Sequence, residues 1–337
     1  MPETATMGTA ELEALITAAL VASRTSEPNA RSVAQALTRA EIDAQKGHGL
    51  ARVPSYAAQA RAGKVDGHAV PSVRQTRPGT LMIDAAHGFA FPAVELAIGR
   101  LPTLAAQTGI AAAGYVRSHH FGVVGHHVER LAQTGLVALA FANTPKAIAP
   151  WGGRRALFGT SPLAFAAPQR GEPPLVVDMA LSQVARGKIL TAAQRGEPVP
   201  ADWAVDEEGR PTTDAKAALK GALQPIGGAK GAALAIVVEL LAVALTGAHF
   251  GFEASSFFDA EGPPPGVGQL LLAVDPGAFA GREIFLDRVA GLTRMIEADV
   301  GARLPGSRRL ALRAKAQREG VMVDAKLAAA VRALAGM

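Results

Sequence analysis

Hydrophobic positions recur at helical spacing from the start of the chain. Leu12, Leu15, Ile16 and Leu20 lie three or four residues apart behind Thr9, a candidate cap, and predict a first helix. Ser26 followed by Glu27 and Pro28 is a second helix start, and Val33, Leu37 and Ile42 carry its apolar stripe. Gly47-His48-Gly49 interrupts that pattern. From Pro92 onward the texture changes to short alternating helices and strands. Residues 93–106 have helical spacing that Gly109 ends, and 110–116 is a short apolar strand running into Ser118-His119-His120-Phe121-Gly122. A further helix reaches Gly135. Strands follow at 136–141, before Asn143-Thr144-Pro145, and at 175–177, before Asp178. Short strands that end in polar, glycine-bearing loops are where α/β proteins place their sites. Residues 198–213 are polar and rich in Pro and Gly, a surface excursion; 227–247 is a glycine-led helix. An irregular loop at 250–268 surrounds Pro263-Pro264-Pro265, and a closing strand occupies 269–274. Helices at 282–297 and 324–334 finish the chain, the last with Asp324 as its cap.

Composition narrows the classes. A chain of 337 residues, 49% hydrophobic, can bury a substantial core as one large domain or two to three smaller ones. Cysteine is absent, which excludes a disulfide framework, a thiol nucleophile and cysteine metal sites. The first residues show no basic stretch followed by an apolar run. The longest apolar segment, 232–245, contains Glu239 and is shorter than the ~18 residues that mark a membrane span. A buried helix, no membrane partner and a cytoplasmic location are the expectation. The net charge of +5 comes from scattered Lys and Arg with only 5% aromatics, which argues against a nucleic-acid surface. It suits an enzyme with anionic ligands. The one dense basic group is Arg303, Arg308 and Arg309 around the Leu304-Pro305-Gly306 turn.

The candidate chemistry lies in several short motifs. No Gly-x-Gly-x-x-Gly follows a strand and no Walker loop is present, so a bound dinucleotide would use other backbone amides. His48, Arg52 and Tyr56 share one face at helical spacing. They read either as an acid or base beside a carboxylate clamp, or as a solvated helix end. His119, His120, His126 and His127 invite a metal reading. Adjacent histidines project differently, however, and no carboxylate completes a tight set, so no metal is expected. Asn143-Thr144-Pro145, Trp151-Gly152-Gly153 and Gly159-Thr160-Ser161-Pro162 either approach phosphate and ribose oxygens or are ordinary turns. Asp178 reads as the charge partner of an imidazole or as a helix cap. Gly227-Gly228-Ala229-Lys230-Gly231 reads as a phosphate-binding helix start or as a plain turn.

Taken in order, these segments resemble the type-2 malate/lactate dehydrogenase family, which is distinct from the Rossmann lactate dehydrogenases. The resemblance runs through Gly47-His48-Gly49-Leu50-Ala51-Arg52 with Tyr56, Ser118-His119-His120-Phe121-Gly122, Asn143-Thr144-Pro145, Pro150-Trp151-Gly152-Gly153 and Gly159-Thr160-Ser161-Pro162. It continues through Asp178-Met179-Ala180-Leu181-Ser182, Lys230-Gly231 and Arg303-Leu304-Pro305-Gly306. Residues 250–259 and 262–266, with the double histidine, are similar to the Δ1-piperideine-2-carboxylate/Δ1-pyrroline-2-carboxylate reductase branch.

The resemblance implies an α/β, non-Rossmann NAD(P)-binding fold with a largely antiparallel or mixed sheet and a helical N-terminal domain. Residues 1–65 with 310–337 would form the helical domain, 66–115 an intermediate one and 116–309 the NADPH-binding one. It also implies a homodimer whose active site lies between domains. His48 would be the proton donor and Asp178 its charge partner. Arg52, Tyr56 and Thr160 would bind substrate. His120, Phe121, Gly122, Asp178, Met179, Ala180, Lys230, Gly231, Arg303, Leu304, Pro305, Gly306, Ser307, Arg308 and Arg309 would contact NADPH, with NADH as the alternative cofactor. The implied reaction is reduction of a cyclic imino acid to L-proline or L-pipecolate. The alternative is reduction of a 2-oxo acid of the malate, lactate or ureidoglycolate type. One departure is visible: the family commonly has serine before the catalytic histidine, and here Gly47 removes any hydroxyl relay through that position.

Overall fold

A computed structural model describes residues 3–337. The chain opens with strand β1 (Thr4–Met7), then α1 (Thr9–Val21) and α2 (Glu27–Ile42), which bury the anticipated Leu12, Leu15, Ile16, Leu20, Val33 and Leu37. Two 3-10 turns, Lys46–His48 and Leu50–Arg52, lead into α3 (Val53–Ala62). The hairpin β2 (Ser72–Arg77) and β3 (Thr80–Asp84) precedes α4 (Ala90–Ile98), α5 (Leu101–Thr108) and β4 (Ile110–Ser118). Next come α6 (Val124–Gln133), β5 (Val137–Ala142), β6 (Leu163–Ala167) and β7 (Leu175–Met179). The segment expected as a surface excursion, 198–213, holds only β8 (Ala204–Val205) and buries Val199, Ala204 and Val205; α7 (Arg186–Arg195) precedes it, and α8 (Ala215–Lys220) and β9 (Ala222–Leu223) follow. The last third contains α9 (Ala229–Glu239), β10 (Val267–Val274), α10 (Arg282–Glu297), α11 (Ser307–Glu319), β11 (Val321–Asp324) and α12 (Ala325–Leu334). The architecture is the expected mixed α/β class. No helix among the described residues is long and apolar enough to cross a membrane.

One seven-stranded sheet, in the order β2-β3-β4-β10-β5-β6-β7, organises the molecule. Only β3 and β4 run parallel; every other neighbouring pair is antiparallel. The boundary expected at 115/116 falls inside β4, and residues 66–115 contribute three strands to this same sheet. One sheet face is a floor of small side chains, with Ala111, Ala113, Ala138, Ala140, Ala164 and Ala166 all buried. On it sit α4, α5 and α6, through Val94, Leu101, Val124, Val128 and Leu131. The other face packs Phe141 and Leu270 against Ala235, Val238 and Val243 of the α9 region. A separate apolar cluster joins α1–α3 to Val321, Val323, Ala328 and Val331, and β1 pairs with β11 antiparallel from Thr4↔Asp324 to Met7↔Val321.

The structure departs from the pattern-based expectation in instructive places. The helix expected at 93–106 is two, α4 and α5, and Pro102 lies in the first turn of the second. Proline has no N–H with which to continue the preceding helix. The segment 227–247 is α9 followed by a π-helical turn, Leu240–Ala244. Unanticipated α11 buries only Ala316 and so lacks an apolar stripe; charge holds it in place, as described below. Capping by Asp324 is as expected, its Oδ1 accepting the Leu327 amide at 2.9 Å.

Candidate active site

His48 lies on the 3-10 turn between α2 and α3, half-buried, with its ring stacked on His120 at 5.1 Å between centroids and 13° between planes. Gly49 permits that turn: a Cβ there would stand 2.4 Å from Glu41 Oε1, the atom that accepts the Leu50 amide. Burial, the Arg52 charge and His126 together push the His48 pKa down to about 4, so the free imidazole is neutral near pH 7. Its Nδ1 is buried and has no hydrogen-bond partner among the described residues. Arg52 shares that condition. Its Nε donates to the Gly47 carbonyl at 2.7 Å, the Phe258 ring covers its guanidinium at 4.7 Å, and Nη1 is buried without a partner. A cleft of about 470 Å³ opens here, lined by Gly47, Ala51, Arg52, Ser55 and Phe258 among others.

Tyr56 differs from its expected place at the substrate surface. It is fully buried, and its hydroxyl stands 2.6 Å from His120 Nδ1. Phe121 likewise lies in the core, its ring 4.4 Å from that of His127, so its side chain does not line a ligand cleft. The other histidines are engaged by protein. His119 Nε2 meets Gln59 Oε1 at 2.8 Å, His126 Nε2 meets Asp43 Oδ2 at 2.7 Å, and His127 Nε2 meets the Phe121 carbonyl at 2.8 Å. Desolvation holds all of them below the ordinary histidine value, His119 and His127 at about 3. Among the described residues no three His, Asp or Glu side chains converge as metal ligands do.

A second group of anticipated residues meets at the C-terminal end of β7. Asp178 Oδ2 accepts the Gly125 amide at the start of α6, 2.9 Å away. The residue is exposed at its outer surface yet walled by protein, and the resulting desolvation raises its carboxyl above the usual range. It makes no hydrogen bond to His48. Exposed Met179 and Ala180 follow, and then Leu181 donates to the Thr160 carbonyl and accepts from Ile226, each at 2.8 Å. Those bonds bring Thr160 and the turn before Lys230 and Gly231 to the same strand end. Gly228, at φ +65, closes that turn against Trp151, and Lys230 projects exposed from the first turn of α9. From the other side Gly306 approaches the Val176 carbonyl. Arg303, Leu304, Pro305, Ser307 and Arg309 line a cleft of about 510 Å³ beside it; Arg308 is exposed on the same turn.

Several residues that hold these groups carried no motif. Glu239, at the junction of α9 and the π turn, sends its carboxylate to Asn143 Nδ2 (3.4 Å) and to the amides of Gly159 (3.4 Å) and Gly251 (3.3 Å), joining three loops around Thr160. Buried Lys64 donates to Asp259 Oδ1 at 3.0 Å and to the Glu261 carbonyl at 2.6 Å. Gln59 Nε2 donates to the Phe257 carbonyl at 2.7 Å, so the 257–261 loop is pinned with Phe258 over Arg52. The only sequence signal was a charged residue inside an apolar stretch, Glu239. The last such set is an ionic knot. Arg313 of α11 donates to Asp43 from Nε and Nη2 at 2.7 Å each and to Glu129 Oε1 at 2.6 Å, and Arg39 donates to Glu129 Oε2 at 2.8 Å.

Residues 7–332 match the family described as malate/L-lactate dehydrogenase. The chain is 51% identical to (2R)-3-sulfolactate dehydrogenase (NADP(+)) of Chromohalobacter salexigens over 90% of each chain. It is 41% identical to a Δ1-pyrroline-2-carboxylate reductase of Pseudomonas fluorescens over 99% of this chain and 100% of that one. The crystal structure of Δ1-piperideine-2-carboxylate reductase from Pseudomonas syringae pvar. tomato superposes with a TM-score of 0.92 at 37% identity, covering 98% of this chain and 99% of that one. The chain therefore belongs to the malate/L-lactate dehydrogenase family and is an NAD(P)H-dependent oxidoreductase.

Proposed function

We propose that this protein uses NADPH to reduce a small cyclic imino acid, Δ1-pyrroline-2-carboxylate or Δ1-piperideine-2-carboxylate, to L-proline or L-pipecolate. The observation that carries the reading is a single cation with an unpartnered Nη1, Arg52, beside a neutral imidazole and beneath an apolar ring. Buried unpaired donors mark places where a ligand completes the pairing. A monoanionic acid with a methylene ring supplies both a carboxylate for the guanidinium and an apolar face for Phe258.

The residues present fit a nicotinamide dinucleotide. The start of α9 offers the positive-φ Gly228 and exposed Lys230, while the 303–309 turn offers Arg303, Arg308 and Arg309 for a 2′-phosphate. Asp178, Met179, Ala180 and the Gly122 turn would complete that surface. When bound, the cofactor supplies hydride to the carbon next to the substrate carboxylate. Arg52 anchors that carboxylate. The bound carboxylate also offsets the Arg52 charge, which after burial is the next influence that keeps the His48 pKa low, and so shifts that pKa upward. Through its accessible nitrogen His48 handles the proton at the substrate heteroatom. Asp178 makes no hydrogen bond to His48, and the charge that bears on its carboxyl is Arg309, so its place in this reading is on the cofactor surface and not as the charge partner of the imidazole.

A second reading, reduction of a 2-oxo acid in place of the imine, is favoured by the 51% identity to a sulfolactate dehydrogenase. Both readings use the same Arg52 anchor. They part over the second substituent, which is a strong anion in a sulfonated substrate and a methylene ring in the imine. The test is NADPH oxidation with matched concentrations of the two cyclic imines, 3-sulfopyruvate, pyruvate and oxaloacetate. A kcat/KM for the imines at least tenfold above the oxo acids is expected; the reverse order would replace the first reading by the second. The homodimer is supported by Ile284, Leu292 and Met295, apolar side chains exposed on α10.

A further inference from the structure

What holds the His48 ring in place is not a hydrogen bond. Its Nδ1 is buried without a partner, and the preceding residue, Gly47, has no side chain to offer one. The contact that fixes the plane of the ring is the nearly parallel face of His120, 5.1 Å away at 13°. His120 in turn has a single hydrogen bond recorded for its side chain, from Nδ1 to the Tyr56 hydroxyl at 2.6 Å. Tyr56 is locked as well. It is fully buried, with its ring tilted on Phe89 at 5.2 Å and meeting His119 edge-on at 5.4 Å. Phe257 closes the remaining side, 5.3 Å from His120, and Gln59 pins its carbonyl.

The direction of the Tyr56–His120 bond follows from chemistry. A phenol enclosed away from water keeps its proton, and burial pushes the Tyr56 hydroxyl further from ionisation. The hydroxyl therefore donates and Nδ1 accepts. A neutral imidazole that accepts at Nδ1 carries its own proton on Nε2. One hydroxyl thus sets both which nitrogen of His120 is a donor and how the ring is rotated about its bonds.

We propose that Tyr56 is a positioning residue that acts through His120 on His48, the O–H···Nδ1 bond fixing His120 as the Nε2–H tautomer and the stacked face of His120 orienting the proton-handling ring. In this chain the stack takes over the role that a hydrogen bond to Nδ1 would have. The inference rests on the reading of His48 as the proton-handling group and is indifferent to which substrate carries the C=N or C=O.

The test combines spectroscopy of the native protein with one conservative variant. In ¹⁵N-imidazole spectra of the wild-type protein at pH 7, His120, assigned by its loss in His120→Gln, shows a single Nε2–H tautomer. In Tyr56→Phe, which keeps the ring packing and deletes only the hydroxyl, that signal becomes a mixture of tautomers. The variant's kcat falls about 5- to 30-fold with KM within about twofold, and the acid limb of the kcat–pH profile changes position. A wild-type spectrum with the proton on Nδ1 overturns the proposal even if the variant does not fold. So does a Tyr56→Phe protein with unchanged kcat and pH profile. Retained turnover in His48→Ala would instead remove the reading beneath it, and the two failures are thereby distinguished.

Discussion

Two charged regions flank the segment that carries the histidines, and they are built in opposite ways. On one side Asp43 receives three hydrogen bonds, two from Arg313 and one from His126, and these charges hold its carboxyl below the usual range despite burial. On the other side Asp178 receives only the Gly125 amide, and desolvation wins, raising its carboxyl. Near His48 the contrast repeats: Nδ1 of His48 and Nη1 of Arg52 are buried and unpaired. The knot has every partner it needs within the chain. The cleft is polar chemistry left incomplete, which is the condition a ligand resolves.

The comparison can be broken from either end. The largest effect is expected in the cleft: His48→Ala should lower kcat by about 10²–10⁴, the usual worth of a general acid, while the melting temperature stays near that of the wild type. Steady-state rates with the preferred substrate of the panel check this, and near-native turnover would show that the incomplete side is not where the proton moves. In the knot the loss should appear as stability. Arg313→Ala leaves Asp43 and Glu129 buried without their main counter-charge, at a cost of about 3–5 kcal/mol in denaturant unfolding. A change below about 1 kcal/mol would mean that α11 is held by something other than these pairs.

Arg52→Ala should act chiefly on binding. Removing a charge-assisted contact worth about 1.5–3 kcal/mol raises KM by about 10- to 100-fold. A kcat effect with constant KM would assign Arg52 to the reacting bond and not to the anchor. The buried imidazoles predict a pH dependence whose sign is fixed. His48, His119 and His127 have folded values lowered from 6.5 to about 4, about 3 and about 3, so the unfolded chain binds protons first as the medium acidifies. Stability is complete above about pH 6.5 and declines below it, by up to about 1.4 kcal/mol per pH unit for each such group. Asp43 and Glu129, lowered in the folded state, add their loss only below about pH 4. Melting temperatures at pH 7.5, 6.5 and 5.5 should therefore fall in that order; a flat series would show that water reaches these rings. The smallest effect is expected for Gly47→Ser. A Cβ there meets nothing within 4 Å, so stability should change by less than about 0.5 kcal/mol. Any rise in kcat measures what a hydroxyl adds beside the stacked ring.

The legible parts of this protein were those encoded by local pattern. The stripes of α1 and α2 and the strands before His119, Asn143 and Asp178 follow from spacing alone, because each buries a face set by its own periodicity. Strand β6, Leu163–Ala167, escaped because it is built largely of alanine, which has no strand signature. Helix α11 escaped because ions and not apolar residues dock it. At the site, residue type beside glycines left His48 and Arg52 open between a carboxylate-binding acid or base and a solvated helix end, and only the family resemblance gave them roles. Tyr56 was read as a substrate contact, since spacing on one helix face does not reveal that its hydroxyl turns inward to a residue 64 positions away. Glu239 reaches the Gly159 amide 80 residues away, Lys64 reaches Asp259 195 away and Gln59 reaches the Phe257 carbonyl 198 away, and no short motif encodes such a meeting.

The alanine floor beneath α6 has a consequence for how this molecule can vary. Methyl groups at positions such as Ala138, Ala140, Ala164 and Ala166 let that helix ride low on the sheet, and the height of the ride sets where the Gly125 amide meets Asp178. A valine introduced in this layer would lift the helix by a fraction of an ångström and carry the amide away from its carboxylate, without touching a single reacting group. Drift in the most featureless residues of the chain is therefore constrained by chemistry performed one layer above them.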